Sequence, residues 1–299
     1  MTSEWVPDAS AVAAFRRSPE EFRLRYRQHL ARGGWVEAPD AGSAFHTALD
    51  GWFGPEGGDI EAAVAALRAA WGGPDDGLTP QRRPLALMER VLRAYAERWP
   101  RAADPFTVEA TEANFRVRIE RAGVAFDWCG RKDRVVAFEG GVRAVMDTKT
   151  TSGWFHTAKT EGFFSRYELA EAMLGYVASE VASGRPCATY YIDAVHVDEV
   201  KDGKGGNIVP ERDFRRWRAP GVVQPWRLDR WARDVAYTLD AVRALDESRG
   251  PDEPWPVYVN WAFGQPDEFW RIVTAAPELA AAEALGFERR PWRPWEAGK

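Results

Sequence analysis

Apolar residues recur at helical spacing through the first hundred positions and at strand spacing through the next fifty. Val12, Phe15, Phe22, Tyr26 and Leu30 return every three to four residues or a multiple of that, which predicts a helix over 8–32, capped by Asp8 or Ser10 and broken at Ser18-Pro19. Further helices are predicted over 43–53, 60–71 and 81–99, the last two separated by Gly72-Gly73-Pro74-Asp75-Asp76-Gly77. The period then changes. Residues 107–119 alternate in part and are rich in Thr, Val and Phe; Arg121-Ala122-Gly123 turns the chain, and 124–138 returns as a second strand. Glu139-Gly140-Gly141 reverses it again into a third strand over 144–150. An irregular segment, 151–162, leads to a helix over 165–183 and an apolar, β-rich strand over 188–197. A turn at 201–206 and residues 207–214 complete a second hairpin. Leu228, Trp231, Val235, Leu239, Val242 and Leu245 share one face of a long helix over 225–247. The Trp- and Pro-rich stretch 254–299 is expected to pack back as cover, with one helix near 278–285.

Helices, three strands, a helix and a strand, in that order, predict an α/β (α+β) fold on one central mixed sheet. No internal repeat and no domain-separating linker stands out. The expectation is a single domain over 1–299, with a helical part at 1–105, a sheet core at 106–215 and a helical cover at 216–299.

Composition narrows the class without naming it. The 299 residues are 45% hydrophobic and 28% charged, enough apolar material for a substantial core. No apolar run approaches the ~18 residues of a membrane span, and Met1-Thr2-Ser3-Glu4-Trp5 lacks a secretory pattern, so no membrane partner is expected. Two cysteines, Cys129 and Cys187, are too few for a disulfide framework or a four-cysteine metal site, and a reducing cytoplasm is the expected location. The net charge of −5 does not advertise nucleic acid, although a local basic groove would count for more than the total. Arg212, Arg215, Arg216, Arg218, Arg227 and Arg230 interleave with Phe214, Trp217, Trp226 and Trp231, a weak candidate for backbone contacts that Glu211, Asp213 and Asp229 dilute. Lys201-Asp-Gly-Lys204-Gly-Gly lacks P-loop spacing, and the chain carries no Ser-His-Asp arrangement, zinc spacing or dinucleotide fingerprint.

The chemistry concentrates in the predicted hairpin. Alternation points Asp147 and Lys149 one way and Thr148 the other. A turn at Glu139-Gly140-Gly141 sets Phe138 beside Val142, and counting back sets Asp133 opposite Asp147. Like charges ~5 Å apart repel by roughly 3 kcal/mol at an effective dielectric of ~20, so two such aspartates need a cation, a proton or solvent between them. Mg²⁺ typically takes one or two protein carboxylates and keeps water and phosphate as its other ligands. A polar Asp-Thr-Lys-Thr run at the end of a buried strand is where sites are built, whereas an isolated Asp-x-Lys is more often a solvated strand end.

Gly130-Arg131-Lys132-Asp133-Arg134, a spacer, then Val145-Met146-Asp147-Thr148-Lys149-Thr150 resembles motifs II and III of the PD-(D/E)XK nuclease superfamily, above all the RecB-type nuclease domain and its phage-type exonuclease relatives. Three further regions agree: Ser10 to Phe22, with Phe15, Ser18 and Pro19, resembles the opening helix; Gly42-Ser-Ala-Phe-His46 resembles a helix that offers histidine to the metal; Thr111-Glu112-Ala-Asn-Phe115 resembles the strand before the active hairpin. The likeness covers roughly 8–197 and implies a restriction-endonuclease-like core with a helical N-terminal segment.

The resemblance implies Mg²⁺ or Mn²⁺ held by His46, Asp133, Asp147 and the Thr148 carbonyl, with Lys149 positioning the attacking water and Glu112 as an auxiliary. Tyr176, Arg131, Arg215 and Arg216 are candidate DNA contacts. Ser18 stands where iron–sulfur members carry cysteine, so no iron–sulfur cluster is expected. Ala172 stands where a glutamine often precedes the tyrosine by four residues. The implied function is a metal-dependent DNA nuclease, an exonuclease on DNA ends in recombination or repair. The alternatives are a catalytically inactive DNA-binding accessory protein of the same fold and a metal-dependent phosphohydrolase of small substrates.

Overall fold

The computed structural model describes residues 5–54, 57–75, 81–152, 163–164, 166–168, 170–197, 200–201, 207–208, 215–218, 222–257, 269 and 282–296. Helix α1 (Ala9–Arg17) opens with Asp8 as its cap, the Asp8 carboxylate accepting from the Ala11 N–H at 2.9 Å. Ser18 ends α1 in an extended conformation and caps α2 (Pro19–Phe22), whose Pro19 needs no N–H in the first turn. One wide turn, Arg23–Arg27, follows. The helix expected as far as 32 stops there. His29 takes a left-handed φ of 57°, and β1 (Leu30–Arg32) pairs antiparallel with β9 (Phe287–Arg289). This edge ladder satisfies the backbone there in place of a last helical turn.

Helices α3 (Glu37–Phe53), α4 (Ile60–Ala70) and α5 (Leu85–Arg98) form one layer. Phe45, Trp52, Val64, Leu67, Met88, Leu92 and Tyr95 interlock there, with Val195 and Val197 reaching in from the sheet side. Helix α3 starts six residues earlier than the apolar period implied, where Glu37 and Asp40 place acidic side chains in the first turn.

The sheet has the order β2 (Phe106–Arg121), β3 (Val124–Phe138), β4 (Arg143–Thr151), β5 (Tyr190–His196), β8 (Arg215–Arg218). Strands β2, β3 and β4 meander antiparallel, β4 and β5 run parallel, and β8 closes antiparallel on β5. Ala122 and Gly123, at φ of 52° and 79°, make the two-residue hairpin between β2 and β3. At the next turn the Phe138 N–H donates to the Val142 carbonyl at 2.9 Å, in the register the sequence predicts. The parallel step from β4 to β5 carries α6 (Glu171–Ala182), which begins at 171 rather than 165; Tyr167 and Ala170 close tight turns before it. With α7 (Pro225–Arg249), α6 covers a second core of Phe126, Trp128, Val145, Tyr190, Ile192 and Trp231.

The second hairpin expected from the sequence is present where its residues are described. Asn207 and Ile208 pair as β7 with β6 (Val200–Lys201), while 209–214 lie outside the described residues. Arg215–Arg218, part of the basic, aromatic stretch that is a weak candidate for backbone contacts, form the edge strand β8, so the sheet extends to 218. Of the C-terminal helix expected near 278–285, residues 278–281 lie outside the described residues and Glu283–Leu285 form one tight turn. Helices on a central mixed sheet of this order are the restriction-endonuclease-like architecture.

Candidate active site

Pairing between β3 and β4 ends at Arg134↔Met146, and Asp133 and Asp147 stand one step beyond it. The Thr148 N–H, past the last rung, donates to Asp133 Oδ2 at 2.7 Å instead of to a neighbouring strand. The Lys149 ammonium lies 2.6 Å from Asp147 Oδ2, so these two side chains share a face as alternation requires. The Thr148 hydroxyl turns the other way and accepts from Arg134 at 2.6 Å.

Helix α3 supplies the imidazole. His46 Nδ1 lies 3.2 Å from Asp133 Oδ2. Glu112 is brought in by an irregularity in β2: the register slips between Val108 and Ala110, and Glu112 takes a φ of 41° opposite Asp133. Such a backbone costs of order 1–3 kcal/mol in a residue other than glycine. His46, Glu112 and Asp133 each offer a ligand atom within 4.8 Å of the others. Among the described residues Glu109, at the slip, turns to Arg143 at 2.6 Å.

Burial and Coulomb interactions set the charges. Burial opposes ionisation of Asp133, but His46, Lys149 and the Thr148 N–H outweigh it and hold the carboxyl well below the usual range. Asp147, which is 3% exposed, is pushed up by burial, with Lys149 opposing and Asp133 adding to the rise. Glu112 is also raised, by burial and then by Asp133. Burial lowers His46, yet the charge of Asp133 raises it overall. Burial likewise disfavours the Lys149 ammonium, and Asp147 with Asp133 more than restores it, so Lys149 is held protonated.

This donor set fits a small divalent cation. Carboxylate oxygens with one imidazole suit Mg²⁺ or Mn²⁺, and Glu112 and Asp147 both resist ionisation in a way that a nearby cation would relieve. His46, Glu112 and Asp133, with Leu49, Asp50, Arg134 and Thr148, border one small cavity.

Other sequence candidates are placed less directly. Arg131 pairs with Glu112 at 2.8 Å. Tyr176 packs edge-on against Phe115 at 6.1 Å and beside Gly130, its hydroxyl pushed well above its usual value by burial and then by Asp147 and Asp133. Ala172 packs against the core between α6 and α7. The side chains of Arg215 and Arg216 lie outside the described set. Three residues went unread in the sequence: Asp50, Arg134 and Asp193. Asp50 follows His46 by four residues on α3, a same-face spacing that could have flagged it. Arg134 adjoins Asp133, and Asp193 is the partner of Thr148 in the β4–β5 ladder. No local pattern marks Asp193.

No curated protein matches the chain. Among solved structures, SSO0001 aligns over 45% of this chain and 52% of its own at 14% identity and a TM-score of 0.26, so the chain spans about half the length of that protein. A candidate exonuclease from Eubacterium rectale aligns over 90% of this chain and 93% of its own, at 12% identity and a TM-score of 0.44. The profile of the PD-(D/E)XK nuclease superfamily matches residues 9–249, a span that takes in α3, the β2–β4 meander and α6. With four-fifths of its length inside that match, the chain belongs to the PD-(D/E)XK nuclease superfamily.

Proposed function

We propose that this chain is a Mg²⁺- or Mn²⁺-dependent deoxyribonuclease that hydrolyses phosphodiester bonds from DNA ends, as an exonuclease in recombination or repair. The observation that carries it is the convergence of His46, Glu112 and Asp133 within 4.8 Å beside the Asp147–Lys149 pair. Asp133, Asp147 and His46 would hold the cation, with the Thr148 carbonyl and Glu112 as further ligands. A bound divalent cation supplies Lewis-acid neutralisation of the phosphate and a more acidic water. The chain's own part is positioning and charge. Lys149, held protonated, orients the water and offsets negative charge that builds on the phosphate oxygens as the new P–O bond forms and the old one breaks. Tyr176 and Arg131 would contact the DNA backbone, Arg131 from its place beside Glu112. The exonuclease form rests on the likeness of the motifs to RecB-type domains and phage-type exonucleases.

The test is incubation of the purified protein with linear and circular DNA, with Mg²⁺, Mn²⁺ or EDTA, beside Asp147→Ala and Lys149→Ala variants checked for folding by circular dichroism. Metal-dependent loss of linear DNA alone, abolished in both variants, is expected. Loss of circular DNA as well would replace the exonuclease by an endonuclease. Binding without cleavage would mark the accessory protein, and turnover of small phosphoesters alone the phosphohydrolase. A folded protein inert in all arms would overturn the reading.

A further inference from the structure

At the fork between β3 and β4 the backbone ladder no longer fixes how far apart the two aspartates stand, because its last pair is Arg134↔Met146. A side-chain bridge across three adjacent strands takes over. Arg134 on β3 donates through Nη2 to the Thr148 hydroxyl on β4 at 2.6 Å and to Asp193 Oδ2 on β5 at 2.7 Å. Thr148 and Asp193 are partners in the β4–β5 ladder, so the bridge follows the sheet's own register. Tyr95 of α5 donates to the same Asp193 oxygen at 2.9 Å, and the Arg134 guanidinium lies 4.3 Å from the centre of the Phe53 ring. Arg134, Thr148 and Asp193 are 2%, 2% and 0% exposed, so water does not compete for these bonds.

The bridge joins the neighbours of the acids. Arg134 is bonded in sequence to Asp133, and Thr148 lies between Asp147 and Lys149. Thr148 also returns its N–H to Asp133 at 2.7 Å, which closes a loop from Asp133 through Arg134 and Thr148 back to Asp133. We infer that Arg134 is a positioning residue for the proposed metal centre: through Thr148, and with Asp193 and Tyr95 holding it, it sets the spacing of Asp133 and Asp147 and the aim of the Thr148 carbonyl. Its role runs through these neighbours, since its Nη2 is taken up by Thr148 and Asp193. This inference rests on the metal-dependent reading of the site.

The experiment titrates Mn²⁺ into the metal-free protein by calorimetry and follows thermal unfolding of the same samples. The variants are Thr148→Val, which keeps the shape and removes the hydroxyl, Thr148→Ser, which keeps the hydroxyl, and Arg134→Lys, with Asp133→Ala as the control that removes a ligand. Partners of metal ligands typically change affinity by about 10–100-fold. Thr148→Val and Arg134→Lys are therefore expected to weaken Mn²⁺ binding by at least about tenfold in protein that remains folded, with Thr148→Ser close to the wild type. A Mn²⁺ affinity unchanged in folded Thr148→Val, while Asp133→Ala loses binding, would overturn the positioning role and leave the metal centre standing. Absence of Mn²⁺ binding in the wild type would overturn both.

Discussion

Glu180 on α6 is the most informative place to test how the sheet is held behind the acids. Its carboxylate accepts from the Lys132 ammonium and from Arg185, at 2.7 Å through Nε and 2.9 Å through Nη2. The side chains of Glu180 and Lys132 are 1% and 2% exposed, and Lys132 sits 4.5 Å from the centre of the Phe115 ring. Burial opposes the charge on Glu180, but Arg185 and Lys132 win and hold it at about 2, against the usual 4.5. At about 1.4 kcal/mol per tenfold, that depression contributes about 3 kcal/mol at neutral pH. Because the folded value is the lower one, the contribution is complete above the usual value and is lost as pH falls towards 2. Roughly 2 kcal/mol of it is gone by pH 3. Glu180→Gln leaves Lys132 buried without a counter-ion, and breaking such a pair costs about 3–5 kcal/mol. Burial pulls Lys132 below its ordinary value, which subtracts from what the intact pair contributes. A Lys132→Met, Glu180→Leu double variant is therefore expected within about 1 kcal/mol of wild type. The assay is urea unfolding at pH 7 and pH 3. Glu180→Gln should be less stable by about 3 kcal/mol at pH 7 and should lose less than wild type on acidification. A variant within about 0.5 kcal/mol of wild type at pH 7, or one with the same pH dependence, would refute the argument.

Gly175→Ala would place a Cβ 2.5 Å from Trp128 Nε1, against an indole that is itself wedged edge-on to Trp231 at 5.2 Å; a loss of about 1–3 kcal/mol in thermal unfolding is expected, and none would mean that the packing yields. Glu112→Gly should be more stable than Glu112→Ala by about 1 kcal/mol, because only glycine takes the φ of 41° without strain, while both variants lose the carboxylate; equal melting temperatures would remove the strain from the account. Glu20 pairs with Arg23 at 2.7 Å and accepts from the Trp255 N–H at 2.7 Å, clamping the chain beyond α7 onto α2. Glu20→Ala should cost about 3 kcal/mol and speed tryptic cleavage after Arg249, and an unchanged cleavage rate would count against the clamp.

What the sequence revealed and what it hid divide by distance along the chain. The meander was legible because alternation, the Ala122-Gly123 turn and the Gly140-Gly141 turn all act within a few residues; β3 runs over 124–138 as expected. The pairing of β1 with β9 was not, since Leu30 meets a partner at Arg289 and the local period around Tyr26 favours helix. Strand β8 was hidden for a related reason. Arg-Arg-Trp-Arg has no alternation of its own and becomes a strand only because β5 offers an edge. At the site, spacing exposed Asp133, Asp147 and Lys149, whereas Asp193 entered only through a parallel ladder across a helical crossover.

The charges around Asp133 give this arrangement a common logic. Asp133 is flanked in sequence by Lys132 and Arg134, either of which, turned towards the acids, would compete with a divalent cation for them. Each is instead buried and bound to its own carboxylate: Lys132 to Glu180 on α6, Arg134 to Asp193 on β5. Their charges are neutralised where they also pin the strand, one against the helix and one against the neighbouring strands. Lys149 differs, with 37% of its side chain exposed and Asp147 as its partner, which suits the role towards water and phosphate proposed for it. Exchanging these roles would not be neutral. Freeing either cation from its partner would leave a buried carboxylate unpaired and would bring a positive charge into competition with the proposed metal for Asp133.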